Sequence, residues 1–135
     1  TDAPRVVIGY YTLAASSIPA TSFPDDWRRR VSPYAGVPVL LLARLAVDRR
    51  FQGRGVGSGL VVHALEQALA VRVTVGCRGV VVDAYPAAAP WYAAAGFVEI
   101  TATPGGARAN KLFLDLRTVE KAKRRPTEAP DPDSR

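Results

Sequence analysis

The chain has 135 residues, 48% of them hydrophobic, with 18 Lys and Arg against 12 Asp and Glu, one cysteine and one histidine. This length and apolar content fit one domain with a real core; no apolar run reaches membrane-spanning length, and no charged-then-apolar leader opens the sequence. Cys77 alone excludes an internal disulfide, a structural zinc set is not expected, the expected compartment is a reducing cytoplasm, and the net charge of +6 favours an anionic partner.

Residues 5–14 read as an antiparallel strand, with Val6-Val7-Ile8 leading into Gly9-Tyr10-Tyr11. Residues 16–32 form a polar linker containing Pro19, Pro24 and the run Arg28-Arg29-Arg30, which suits either a solvated loop or contact with nucleic-acid phosphates. Trp27 beside them is expected to pack. The apolar run Val37–Val47 has the density of a central strand covered on both faces, with Pro38 near its start, where a missing amide is tolerated.

Between that strand and the helically spaced residues 60–75 lies Arg49-Arg50-Phe51-Gln52-Gly53-Arg54-Gly55-Val56-Gly57-Ser58-Gly59. Glycines let a backbone turn tightly and let a ligand come close, and the following helix start offers unpaired amides at the positive end of its dipole. Arg49, Arg50 and Arg54 add fixed positive charge, so the stretch reads as a phosphate cradle. It is neither a Walker loop, which needs Lys and then Ser or Thr after its last glycine, nor a Gly-x-Gly-x-x-Gly dinucleotide fingerprint.

In the helix, Val61, Ala64, Leu65, Ala68 and Leu69 share one face, with His63, Gln67 and Thr74 on another. His63 and Glu66 sit beyond the turn that would hold phosphate and are set aside as catalytic groups. Gly76 is the expected C-cap. Gly79–Ala84 reads as a buried parallel strand, completing a right-handed βαβ unit, with Cys77 packed near its entry. Tyr85-Pro86 leads to a short alanine-rich helix with Pro90 in its first turn and Gly96 past its end. Residues 97–103 and 111–116 should close as an antiparallel pair around a loop at 104–109. A domain over residues 1–116, charge +4 (12 basic minus 8 acidic), then gives way to a tail over 117–135, charge +2 (6 minus 4). That tail is charged and Pro-rich, with a helical turn at 118–123 and disorder after 125.

Gln52-x-x-Gly55-x-Gly57, set directly after a strand ending Arg44-Leu45-Ala46-Val47-Asp48, resembles the pyrophosphate-binding motif of the GNAT acetyltransferase superfamily. Trp91-Tyr92-Ala93-Ala94-Ala95-Gly96-Phe97 resembles the aromatic-Tyr-three residues-Gly-Phe signature of the same superfamily. The resemblance implies an α/β (α+β) GNAT fold: a mixed central sheet with the βαβ unit and splayed parallel strands. It also implies acetyl-CoA as co-substrate, and with one histidine and one cysteine no metal is expected. Backbone groups of Leu45, Ala46 and Val47 would line the pantetheine arm, while Gln52, Gly53, Arg54, Gly55, Val56, Gly57 and Ser58 would hold the pyrophosphate. Tyr92 matches the tyrosine that protonates the leaving thiolate, and an unperturbed phenol does keep its proton at neutral pH. The plainer alternative is a core tyrosine bonded to backbone. No carboxylate near the motifs stands out as a general base, so deprotonation falls to water or is unnecessary for an amine of low pKa.

The order Tyr10-Tyr11-Thr12-Leu13-Ala14, then residues 38–48, then Arg50-Phe51-Gln52-Gly53-Arg54-Gly55, then Val81-Val82-Asp83-Ala84, is similar to the tRNA-acetylating toxin branch. That branch implies acetylation of the α-amine of aminoacyl-tRNA, a block on translation, and a ribbon-helix-helix antitoxin as partner. Arg28, Arg29, Arg30, Arg44 and Arg49 would meet the RNA phosphates. A GNAT enzyme for a small-molecule or protein amine, and a non-catalytic acetyl-CoA-binding module, are the alternatives. Members of the branch usually open with another strand and one or two helices before the strand at Val6; this sequence does not, so the expected fold is N-terminally truncated. The cofactor site should then be intact, and the acceptor site either incomplete or completed by a second copy in a homodimer across the exposed sheet edge.

Overall fold

Residues 4–23, 36–100 and 110–124 are described by a computed structural model of the chain. Arg28, Arg29, Arg30 and Trp27, the loop at 104–109 and residues 125–135 lie outside the described residues.

The β-branched and leucine-rich runs become strands and the alanine-rich ones helices. In order they are β1 (Gly9–Ile18), β2 (Val37–Val47), α1 (Val56–Thr74), β3 (Gly79–Ala84), α2 (Ala89–Ala94), β4 (Val98–Glu99), β5 (Asn110–Asp115) and α3 (Leu116–Arg124). The strands form one mixed sheet in the order β1-β2-β3-β5-β4, with β2 and β3 parallel and every other pair antiparallel. The expected βαβ unit is therefore β2-α1-β3. Among the described residues no helix is long and apolar enough to cross a membrane.

Alternation along each strand divides the apolar side chains between two cores. Leu40, Leu42, Val80, Val82, Leu112 and Leu114 meet Val61, Ala64 and Ala68 of α1 on one face, joined by Tyr92 and Phe97. On the other face Val37, Val39 and Val81 pack with Ile18, Phe23, Ile100 and Phe113. Each such side chain, fully buried, contributes about 1.5–3 kcal/mol of hydrophobic stabilisation, so the first part of β2 is anchored from both sides.

Four boundaries differ from expectation. β1 lies at Gly9–Ile18 rather than at 5–14, because its register is set by antiparallel pairing along the whole of β2, from Gly9 opposite Val47 to Ile18 opposite Val37; Val6 and Val7 stay exposed. α1 begins at Val56 rather than at residue 60, so Gly57 and Gly59 are helical, and Gly55 at φ +80 is its N-cap. Gly76 is not among the glycines of positive φ; α1 ends instead where Val75 turns extended while its N–H still bonds Val71 O. The expected boundary after residue 116 falls inside the folded body. α3 runs straight on from β5, Leu116 is fully buried, Val119 packs on the core, and Glu120 pairs with Arg72 of α1 at 3.1 Å. β4 is short, but the strand pairing continues to Ile100, whose N–H donates to Lys111 O.

Candidate active site

The site begins with a mismatch in the β1–β2 ladder. Leu13 stands opposite Leu42 and Thr12 opposite Arg44, which leaves Ala43 as an extra residue in β2. Such a bulge bends its strand and increases its twist. The parallel pairing of β2 with β3 stops just before it, at Leu41 opposite Val81. Beyond that point β2 keeps β1 on one edge and, among the described residues, has no strand on the other. The two strands part like a fork, as the resemblance implied.

A cleft of about 310 Å³ fills the fork, lined on one arm by Arg44, Leu45 and Ala46 and on the other by Asp83 and Tyr85, with Tyr92 also on its wall. The strand period decides which backbone groups face it. Asp48 donates its N–H to Ile8 O on the β1 side, so Ala46, two residues earlier, also turns its peptide groups toward β1, while Leu45 and Val47 turn theirs into the fork. Of the three backbone positions expected to line an extended ligand, Leu45 therefore turns both its groups to the fork and Val47 its N–H, its O already accepting from the Gln52 side chain, while Ala46 contributes its exposed side.

Tyr92 sits in α2, whose start tolerates Pro90 and whose end is turned by Gly96 at φ +107. Its ring is buried, edge-on to Phe97 and Trp91 at centroid distances of 5.6 and 4.9 Å. Its hydroxyl has no hydrogen-bond partner among the described residues, yet no buried side-chain oxygen there is left unsatisfied, so the oxygen opens to the cleft. Among the described residues the hydroxyl is not bonded to backbone, unlike that of an ordinary core tyrosine. Burial pushes the phenol above its ordinary pKa, which keeps it a proton donor at neutral pH.

Next to the fork lies the glycine turn. A second, smaller hollow is lined by Val47, Gln52, Gly53, Gly55, Val56, Gly57, Ser58 and Trp91. Gly53 and Gly55 both have positive φ and open space where a Cβ would stand, and no side chain caps the first turn of α1. The amides at its start are thus bare, as an anion-binding site requires. A diphosphate fits this donor set, and an extended arm fits the neighbouring strand edge.

The polar side chains around the turn divide into fasteners and free charges. Gln52 donates its side-chain amide to Val47 O at 3.0 Å and its backbone N–H to Arg49 O, so it ties the turn to the strand. Arg50 forks onto Asp48 through Nε and an Nη, each at 3.1 Å. That side-chain bonding holds the Asp48 carboxyl below its usual range and neutralises Arg50 as a source of field. Arg54 lies 5.5 Å from the centre of the Phe51 ring, and neither it nor Arg49 has an acidic partner among the described residues. The expected triple charge is therefore a double one.

His63 is exposed and shares a 2.5 Å hydrogen bond with the Tyr11 hydroxyl, fastening α1 to β1 outside the cleft. Of the expected RNA set, Arg44 lies in the cleft lining and Arg49 in the turn that follows β2. Sequence reasoning passed over Asp83, the sole acidic residue among the described residues of the cleft lining. The signal available was its place in the last turn of strand before Ala84-Tyr85, on the side opposite Val82.

A family model for the acetyltransferase (GNAT) domain matches residues 6–99. The tRNA-acetylating toxin of Mycobacterium tuberculosis is 41% identical over 78 residues, which is 58% of this chain and 46% of that protein. Among solved structures, AtaT complexed with acetyl-methionyl-tRNAfMet is similar at TM-score 0.75 and 31% identity, over 86% of this chain and 66% of that one. A variant of AtaT bound to the C-terminus of the antitoxin AtaR and acetyl-CoA is similar at TM-score 0.66 and 29% identity, over 86% and 63%. The chain thus matches just under half the length of the curated relative and spans just under two thirds of either solved toxin.

Proposed function

The chain belongs to the GNAT acetyltransferase family, and from that premise we propose that it moves an acetyl group from acetyl-CoA to the α-amine of aminoacyl-tRNA, as a translation-blocking toxin. The observation that carries this reading is the fork: β2 and β3 part beside bare helix-start amides, and the opening holds a tyrosine hydroxyl with no partner among the described residues.

Acetyl-CoA, when bound, supplies a thioester carbonyl open to attack and a sulfur that leaves as thiolate. The start of α1 at Val56, Gly57 and Ser58, with the turn from Gln52 to Gly55, holds the diphosphate by amide donation and by the helix dipole. Leu45 and Val47 pair with the pantetheine arm as a neighbouring strand would, which fixes the carbonyl against the cleft and lowers the entropic part of the barrier. Tyr92 donates its phenolic proton to the departing sulfur as the C–S bond breaks and the C–N bond forms, and solvent returns a proton to the phenolate. An aminoacyl ester amine has a lower pKa than a lysine side chain, so water suffices to take the proton that the nitrogen gives up.

Arg44 and Arg49 meet RNA phosphates, and affinity for tRNA should then fall steeply with salt. Arg28, Arg29 and Arg30 belong to the same proposed surface. The relatives bound to tRNA and to an antitoxin support a like pair of partners here, with a ribbon-helix-helix antitoxin as the protein partner and the bacterial cytoplasm as the compartment. β1 presents an outer edge with no strand on it among the described residues, and a second copy joining there would make a homodimer that completes the acceptor side.

Calorimetric titration with acetyl-CoA, followed by mass spectrometry of charged tRNA incubated with both, tests the reading. Stoichiometric binding and acetylated aminoacyl-adenosine are the expected results. Binding without transfer to tRNA, but with transfer to polyamines or peptides, would replace the acceptor, and no binding would remove the enzymatic reading altogether.

A further inference from the structure

Asp83 faces the fork from the side that the carrier does not use. On β3, Val80, Val82 and Ala84 belong to the core under α1, whereas Val81 belongs to the opposite core; Asp83 alternates with them and therefore shares the Val81 face. On the other arm, Leu45 packs on the α1 side with Tyr11 opposite it, so Arg44 and its register partner Thr12 point away from α1, as does Tyr10. Arg44 and Asp83 thus stand on diverging strands, past the last pair at Leu41 and Val81, on one face of the sheet.

The Asp83 carboxylate is half exposed, and its Oδ1 accepts from Lys111 Nζ at 3.2 Å across the β3–β5 pair. Its Oδ2 has no partner among the described residues. The other charged and titratable groups that line the same cleft are Arg44, Tyr10 and Tyr85, with Tyr92 entering it from the α1 side. A carboxylate in the path of a polyanion repels it, unless the group that reaches the carboxylate is cationic. The terminal ester of a charged tRNA brings one cation, its α-ammonium.

We propose that Asp83 is the anchor for that ammonium: Oδ2 receives it from the face opposite α1, while Arg44 on the other arm meets the phosphate of the nucleotide that carries the ester. This rests on the aminoacyl-tRNA reading above. It assigns the acceptor to the opposite face of the sheet from the diphosphate turn, so that carrier and acceptor enter the fork from two sides. The anchor orients the amine before it loses its proton, and a deaminated ester gains nothing from it.

The test uses the whole chain saturated with CoA, so that no transfer occurs, and the total charged tRNA pool as probe. The control is the same pool converted by nitrous acid to its α-hydroxyacyl form. Filter retention should show wild type preferring the aminoacyl pool by roughly tenfold, the scale of one charge-assisted hydrogen bond at a half-exposed site. Asp83→Asn, which preserves shape, should erase that preference without changing retention of the hydroxyacyl pool, and Asp83→Glu should restore part of it. If wild type retains both pools equally, or Asp83→Asn still discriminates, the anchor is refuted while the tRNA reading stands. If wild type retains neither pool, the tRNA reading falls, and the anchor with it.

Discussion

The half of β2 up to Leu42 lies between β1 and β3 and is covered on both faces, while the half from Ala43 to Val47 keeps β1 alone and exposes Ala43, Arg44 and Ala46. Both halves are apolar, and both are strand by backbone. They differ at their outer edge: the first is closed by a parallel neighbour, the second has no strand beside it among the described residues. Rigidity in one half and an open edge in the other come from a single strand, so the cleft wall is the end of a well-anchored element rather than a loop.

Substitutions in the two halves and their surroundings should separate these roles. The largest effect is expected at the open end. Tyr92→Phe should lower kcat by roughly 10²–10⁴-fold, the usual worth of a positioned general acid, with acetyl-CoA affinity by calorimetry unchanged. The wild-type rate gives a second check. An acid works only while protonated, and burial raises the Tyr92 pKa, so with an acceptor amine already neutral the alkaline fall in rate should lie above pH about 10, the ordinary phenol value. A fall centred well below that would assign the step to another group.

In the closed half, Leu42→Ala should cost about 2–5 kcal/mol by chemical denaturation, as expected for a buried leucine whose cavity cannot collapse. Gly55→Ala should be smaller, about 1–2 kcal/mol, because an alanine must then hold a left-handed backbone; acetyl-CoA affinity should fall with it. Ala46→Ser, on the open half, should change stability by no more than about 0.5 kcal/mol. If Ala46→Ser proved as costly as Leu42→Ala, the contrast between the halves would not hold.

Much of this was legible in the residues themselves. The strand, glycine turn and helix from residue 37 to 75 follow from local chemistry, and so does the tyrosine in its short helix, because Pro90 and Gly96 bracket it. The start of α1 was not legible, since Gly57 and Gly59 disfavour helix and are helical only where Trp91 and Val47 pack beside Gly57. Nor was the length of α3, which rests on the Arg72–Glu120 pair and on Val119 meeting a core built far away in sequence. Asp83 was overlooked for the same reason: its face is defined by pairing with Lys111, and no window along the chain contains both. Arg50 is the opposite case, since its neutralising partner Asp48 is two residues away and its charge was still counted as free.

The extra residue at Ala43 has one more consequence. Excising it would leave each later side chain on its present face, since Thr12 and Arg44 would still be partners, yet the strand would straighten. A straight β2 could go on zipping to β3 past Val81, and the fork would shut into ordinary sheet. The shortened protein should fold, and resist heat at least as well, while ignoring acetyl-CoA; a single amino acid in the tally of a ladder then decides whether this sheet closes or stays open.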